Sequence, residues 1–200
     1  MHCYRLSGFA AVLILMLATP CALFADTISF EGLFDSTPVT NQFAALGLLF
    51  SNTMAITAGI TLNEFEFPPR SGDNVVFDDG GSIIISFSPL PVVSFGGYFT
   101  YLTPVTLTAF DALNNPVNSV SSAFLSNLAL SGDLGSTPNE LLQVSVPGGI
   151  SQVMITGDPA GGSFTLDDAT FAPIPEPGTL SLLIIGSLAF ISARNKFIRH

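Results

Sequence analysis

Between residues 26 and 174 the chain has no cysteine, no histidine and no lysine, and Arg70 is the one basic residue there. Cys3, Cys21 and His2 sit at the N-terminal end, and His200 is the last residue. A disulfide framework is therefore excluded for the middle of the chain. So are Ser-His-Asp and Cys-His nucleophile systems, which need an imidazole to take the proton. Zinc held by histidine or thiolate falls to the same absence. Tryptophan is missing altogether, and charge is scarce, with 10% charged residues against roughly 25% in an average soluble chain. The balance is acidic: Lys plus Arg is 5, Asp plus Glu is 15, and the net charge is −10. A nucleic-acid binder, which must displace counterions from phosphates, is excluded.

What the chain does have is apolar side chain: 48% hydrophobic residues, 18 Phe, 18 Gly and 14 Pro in 200 residues. That composition excludes disorder. The long apolar runs lie only at the two ends, so a many-pass membrane protein is excluded as well. Residues 1–25 have the layout of a secretory signal peptide. Arg5 supplies the positive start, 6–17 is almost unbroken apolar sequence, and Thr19 and Pro20 break the helix before the small residues Ala22 and Ala25. Cleavage is expected after Ala25, with Ala22 the alternative. Lipidation at Cys21 is disfavoured by Pro20 directly before it, and an uncleaved anchor helix is the remaining reading.

The C-terminal end, 173–200, has three parts. Pro173, Pro175 and Pro177 make a rigid, extended hinge around Glu176. Residues 178–193 follow as an apolar stretch, and Arg194, Lys196 and Arg199 close the chain. As a helix, 178–193 rises about 24 Å at 1.5 Å per residue, short of the roughly 30 Å hydrocarbon core but able to span with snorkelling flanks. The basic residues then stay on the cytoplasmic side. A plain anchor helix and a eukaryotic lipid-anchor signal are the alternatives, the second disfavoured by the terminal charges.

Pro175-Glu176-Pro177, an apolar helix and a basic end, in that order, resemble the PEP-CTERM sorting tail of exported bacterial proteins. The resemblance implies recognition by an exosortase, a membrane-embedded cysteine protease. It also implies transient anchoring in the inner membrane, followed by release to the cell surface or extracellular matrix. The basic residues are spread out here and do not form a compact arginine run.

The middle reads as short strands between turns. Residues 27–31, 82–87, 92–101, 105–110, 142–146, 153–156 and 163–171 are β-branched, aromatic or alternating, and Asn114-Asn115-Pro116, Pro147-Gly148-Gly149 and Gly157-Asp158-Pro159 punctuate them. Seven such runs predict an all-β fold, a β-sandwich or jelly roll over 26–172, with one short helical turn at 41–46. The phenylalanines are expected to fill its core. Residues 28–32 and 162–168 give a second, weaker resemblance, to jelly-roll modules and carbohydrate-binding sandwiches. It implies adjacent first and last strands and a structural calcium held by Glu31 and Asp168, with Asp167 a third ligand.

Calcium prefers several hard oxygen ligands, which these acids supply. Asp167 and Asp168 point to opposite faces of a regular strand, so only a bulge brings both to one side. Solvated surface acids are the plainer reading of all three. A second acidic set, Asp73, Asp78 and Asp79, lacks EF-hand spacing and reads as turn chemistry. Glu64 and Glu66 with Glu31 or Glu140 are the carboxylates available for glycoside cleavage, but carboxylates alone do not make an enzyme, and none is expected. Sugar binding would need an exposed aromatic: Tyr98 or Tyr101, which face opposite sides of one strand, with Arg70 as polar partner. The expected function is that of a non-catalytic surface or matrix protein sorted through its tail. The alternative is a calcium-dependent carbohydrate-binding or adhesive module whose partner is an extracellular polysaccharide.

Overall fold

The computed structural model describes residues 25–174. Residues 1–24 of the expected signal peptide, Pro175-Glu176-Pro177, the 178–193 stretch and Arg194, Lys196 and Arg199 lie outside the described residues. Among the described residues no helix is long and apolar enough to cross a membrane.

The described residues fold into two sheets packed face to face. One contains β1 (Asp26–Ile28), β2 (Thr37–Pro38), β4 (Thr53–Thr57), β5 (Asn74–Asp78), β7 (Val92–Tyr101), β10 (Glu140–Ile150) and β12 (Phe164–Pro173). Its order is β10-β7-β12-β5-β4-β2, with β1 also paired to β12. The other contains β3 (Leu48–Ser51), β6 (Ile83–Phe87), β8 (Thr106–Phe110), β9 (Pro116–Ser121) and β11 (Gln152–Thr156), in the order β3-β6-β11-β8-β9. All pairings between these strands are antiparallel. The expected all-β sandwich is what forms, and the short helical turn is a 3-10 turn at Ala44–Leu46.

Alternation decides what is buried, because successive side chains on a strand point to opposite faces. In β6, Ile83, Ile85 and Phe87 are buried while Ile84 and Ser86 are half-buried on the other face. Leu107 and Ala109 of β8 and Val153 and Ile155 of β11 join them in the core. From the opposing sheet come Ala55, Val76, Phe95, Phe99, Tyr101, Val144 and Leu166. Aromatic rings meet edge-on or tilted, Phe30 on Phe43 at 5.7 Å and 84° and Phe99 on Phe164 at 6.0 Å and 53°. The phenylalanines do not all go inside. Phe34 and Phe65 are exposed, and Phe67 and Phe77 are half-buried outside the main core.

The first and last strands are neighbours, as the sandwich resemblance implied: Asp26 pairs with Phe171 and Ile28 with Ala169. One edge of β12 serves two partners, β5 at Thr165 and Leu166 and then β1 at 169–171. Between them the ladder with β7 shifts register after Asp167, and Asp168 takes a left-handed φ of 45°. This is a β-bulge, and it sits at the two acids the sequence singles out.

Candidate functional site

The outer face of the seven-stranded sheet is where the side chains of interest gather. Thr100, Thr165, Phe77 and Met54 are lateral neighbours across β7, β12, β5 and β4. The row beside them, Phe99, Leu166, Val76 and Ala55, faces the core. A long strap, residues 58–73, leaves β4 and returns as β5. Ala58 N–H donates to the Asp73 carbonyl at 2.8 Å, closing its base. Asp35 fastens its first turn by accepting from Thr57 N–H at 2.9 Å and from the Thr61 hydroxyl at 2.5 Å. The Thr61 hydroxyl is the main reason the Asp35 carboxyl titrates below its usual range.

Strap and sheet enclose a groove of about 390 Å³, within the roughly 300–1,000 Å³ typical of ligand pockets. Met54, Ile56 and Phe77 form its floor, and Leu62 and Phe67 overhang it from the strap. Ser36, Thr61, Asn63 and Thr165 add hydroxyl and amide groups, and no lining residue is charged. Residues 26–174 carry fourteen acids and one base, so an uncharged concavity here selects against ionic ligands and favours neutral ones with an apolar face.

Further along, the strap is held by the three acids of the calcium expectation. Asp167 Oδ2 accepts from Arg70 N–H at 2.8 Å and Ser71 N–H at 2.9 Å, and its Oδ1 accepts from Asp168 N–H at 2.7 Å. Asp168 Oδ1 accepts from the Ser71 hydroxyl at 2.8 Å. Glu31 Oε1 accepts from Asp73 and Asn74 N–H at 3.2 and 3.0 Å. The bulge does put both aspartates on one side. All three acids then converge on residues 70–74, each serving the loop through its own atoms. Among the described residues no group of three or more His, Cys, Asp or Glu side chains is placed to hold a metal ion. In this arrangement the carboxylates do not fit a single coordination sphere. Burial, with the neighbouring Asp168 charge adding to it, outweighs the N–H donors and pushes the Asp167 carboxyl up to about 6.

The two tyrosines separate as their spacing predicts. Tyr101 is fully buried, and its hydroxyl donates to Glu140. Burial first, and that carboxylate second, push its phenol up to about 12. Tyr98 faces outward beside Leu141 and Asp167, and the Arg70 guanidinium carbon lies 4.5 Å from its ring centroid.

Of the carboxylates considered for glycoside cleavage, Glu31, Glu66 and Glu140 have structural partners. Glu66 Oε2 accepts from Leu130 and Ser131 N–H at 3.0 and 3.2 Å, tying the strap to the loop after β9. Glu140 accepts from Ala123 N–H at 3.0 Å as well as from Tyr101. Glu64 is half-buried on the strap. Of the second acidic set, Asp73 and Asp79 are exposed and Asp78 is buried. Asp78 accepts from Ser163 N–H at 2.8 Å, Ser163 Oγ at 2.9 Å and Phe164 N–H at 3.1 Å, which fixes the entry to β12. Burial raises its carboxyl above the ordinary range.

The groove floor escaped the sequence reading because β4 and β5 were not among its expected strands. The alternation Thr53-Met54-Ala55-Ile56-Thr57 was the available signal.

No family model matches the chain, and no curated protein matches it. Solved structures similar to it include the K2 adhesin domain of Lys-gingipain, with TM-score 0.47 and 14% identity, covering 74% of this chain and 99% of that one. The K1 adhesin domain of Lys-gingipain from Porphyromonas gingivalis W83 follows at 0.45 and 11%, covering 74% and 97%. The CBM22-1 xylan-binding domain from Paenibacillus barcinonensis Xyn10C scores 0.38 at 12% identity, covering 80% and 99%.

Proposed function

We propose that this chain is an exported surface module that binds and does not catalyse, its sandwich presenting the strap-covered groove to an extracellular polysaccharide. The observation that carries the reading is an uncharged groove floored by Met54, Ile56 and Phe77 in a domain that carries fourteen acids and one base. Such a wall offers apolar contact and neutral hydrogen-bonding groups, with no titratable side chain lining it to take or give a proton.

In this reading residues 1–25 carry the chain out of the cell. The 173–200 tail holds it in the inner membrane through 178–193, with Arg194, Lys196 and Arg199 on the cytoplasmic side. An exosortase-type protease then acts near Pro175-Glu176-Pro177 and releases the module to the surface. The support for this delivery is the order of the three tail features in the sequence.

A glycan array probed with the full chain, with and without chelator, tests the binding role. Signal on a subset of glycans that Ile56→Trp abolishes, with the melting temperature unchanged, is the expected result. A flat array in both conditions overturns it. Signal lost only with chelator would restore calcium, through Glu31, Asp167 and Asp168, to the binding state.

A further inference from the structure

Arg70 is the sole cation between residues 26 and 174, among fourteen acids. Long-range attraction should draw a carboxylate to it, yet among the described residues its guanidinium forms no ion pair. Two acids of the strap anchorage have other partners. Asp167 spends its oxygens on backbone N–H groups, including that of Arg70 itself, and Glu31 spends one on Asp73 and Asn74. The arginine is also pre-positioned. Pro68 and Pro69 stiffen the approach, Asp167 fixes its main chain, and its guanidinium stacks on Tyr98.

This stacking changes what the face can bind. A sugar ring needs the bare face of Tyr98, and Arg70 occupies it. Cation–π contact leaves the five N–H donors free around the guanidinium plane, the arrangement that pairs with a carboxylate in two parallel hydrogen bonds. Neutral hydrogen-bonding neighbours lie alongside: Gln143 opposite Gly96, and Ser145 opposite Ser94.

We propose that Arg70, stacked on Tyr98, is a recognition site for the carboxylate of a uronic acid residue in the bound polysaccharide. This rests on the polysaccharide-binding reading above and names the ligand class. One cation in an acidic domain matches a polymer whose uronic residues are spaced among neutral sugars. A dense polyanion or an acidic protein would meet net repulsion, screened only beyond the roughly 10 Å Debye length at 0.1 M salt.

The test is an array of matched oligosaccharide pairs, neutral and bearing one glucuronic acid, with an Asp-rich peptide beside them. It is read with the full chain, Arg70→Gln and Arg70→Lys in about 0.1 M salt. The expected result is roughly tenfold tighter binding of the uronate member of a pair, the scale of one charge-assisted contact. Arg70→Gln, which keeps its backbone bond to Asp167, should erase the difference, and Arg70→Lys should keep part of it. Equal binding within every pair overturns the uronate site and leaves the binding module standing. Arg70-dependent capture of the peptide alone overturns it in favour of a protein partner. No signal on any sugar overturns both.

Discussion

Asp167 accepts the backbone N–H of Arg70 at 2.8 Å although 97 residues separate the two in sequence. A buried carboxylate on the last strand thereby fixes the strap that both roofs the groove and carries the proposed recognition arginine. Replacing Asp167 with Ala leaves the N–H groups of Arg70, Ser71 and Asp168 without their acceptor. The expected cost is about 2–4 kcal/mol, read from urea unfolding, with loss of Arg70-dependent binding. Unchanged stability would mean the strap holds without this bond.

The same residue sets an unusual pH dependence. Its carboxyl is raised from 3.8 to about 6 in the folded state, so the native protein binds a proton more tightly than the unfolded chain. Linkage then makes this group's contribution fully present below about pH 4 and lost as pH rises through about 6. Asp78 is raised too and acts in the same direction. Asp35, Glu66 and Asp111 are lowered by their hydrogen bonds and act oppositely, losing stability as pH falls below the ordinary carboxylate range. Asp167 should therefore add about 1 kcal/mol of stability from pH 7 to near 5, with Asp78 acting in the same direction and the lowered carboxylates opposing both in stronger acid. Asp167→Asn should flatten the rise, a comparison that urea midpoints at three pH values provide.

Gly72 has φ 53°, and a Cβ there would fall on the Glu31 carboxylate. Gly72→Ala is expected to cost about 1–2 kcal/mol, part from the left-handed backbone and part from displacing Glu31 off the N–H groups of Asp73 and Asn74. In a Glu31→Ala background only the backbone part should remain. A double-mutant cycle with no coupling energy would show that the two do not interact.

Glu176→Ala and a deletion of 178–193 should both leave the tail unprocessed. Mass spectrometry of the mature protein reads both ends at once. The proposed delivery requires a start at Asp26 (or Leu23 if cleavage follows Ala22) and an end near Pro175. Recovery of the intact chain still bearing Arg199 at the cell surface would defeat it.

Sandwich architecture was legible in the runs that became β6, β8 and β11, where burial alternates, and in the β-branched and aromatic runs that became β7 and β12. β5 was hidden because Asn74, Val75 and Val76 are buried in succession, under strap and core alike, so alternation is lost. β10 runs through Pro147-Gly148-Gly149, which reads as a stop, because a register shift between Ser145 and Ile150 absorbs the irregular residues. Glu31, Asp167 and Asp168 were recognisable as a set, since adjacent terminal strands bring them together. What they hold was not: apart from the Ser71 hydroxyl on Asp168, the donors from residues 70–74 are main-chain N–H groups, which carry no mark in the sequence. Tyr98 and Tyr101 could be assigned to opposite faces by spacing, but the arginine over Tyr98 depends on a strap whose path only the fold reveals.

The antiparallel pairing of Asp26 with Phe171 brings the two ends of the domain out at one corner. Force applied between those ends pulls β1 away from β12 one rung at a time instead of sliding the strands along each other, because the connecting hydrogen bonds lie across the strands. β1 has three residues, so little resists the first step. Pulled from both ends, the domain therefore loses β1 first, and the groove is strained only afterwards.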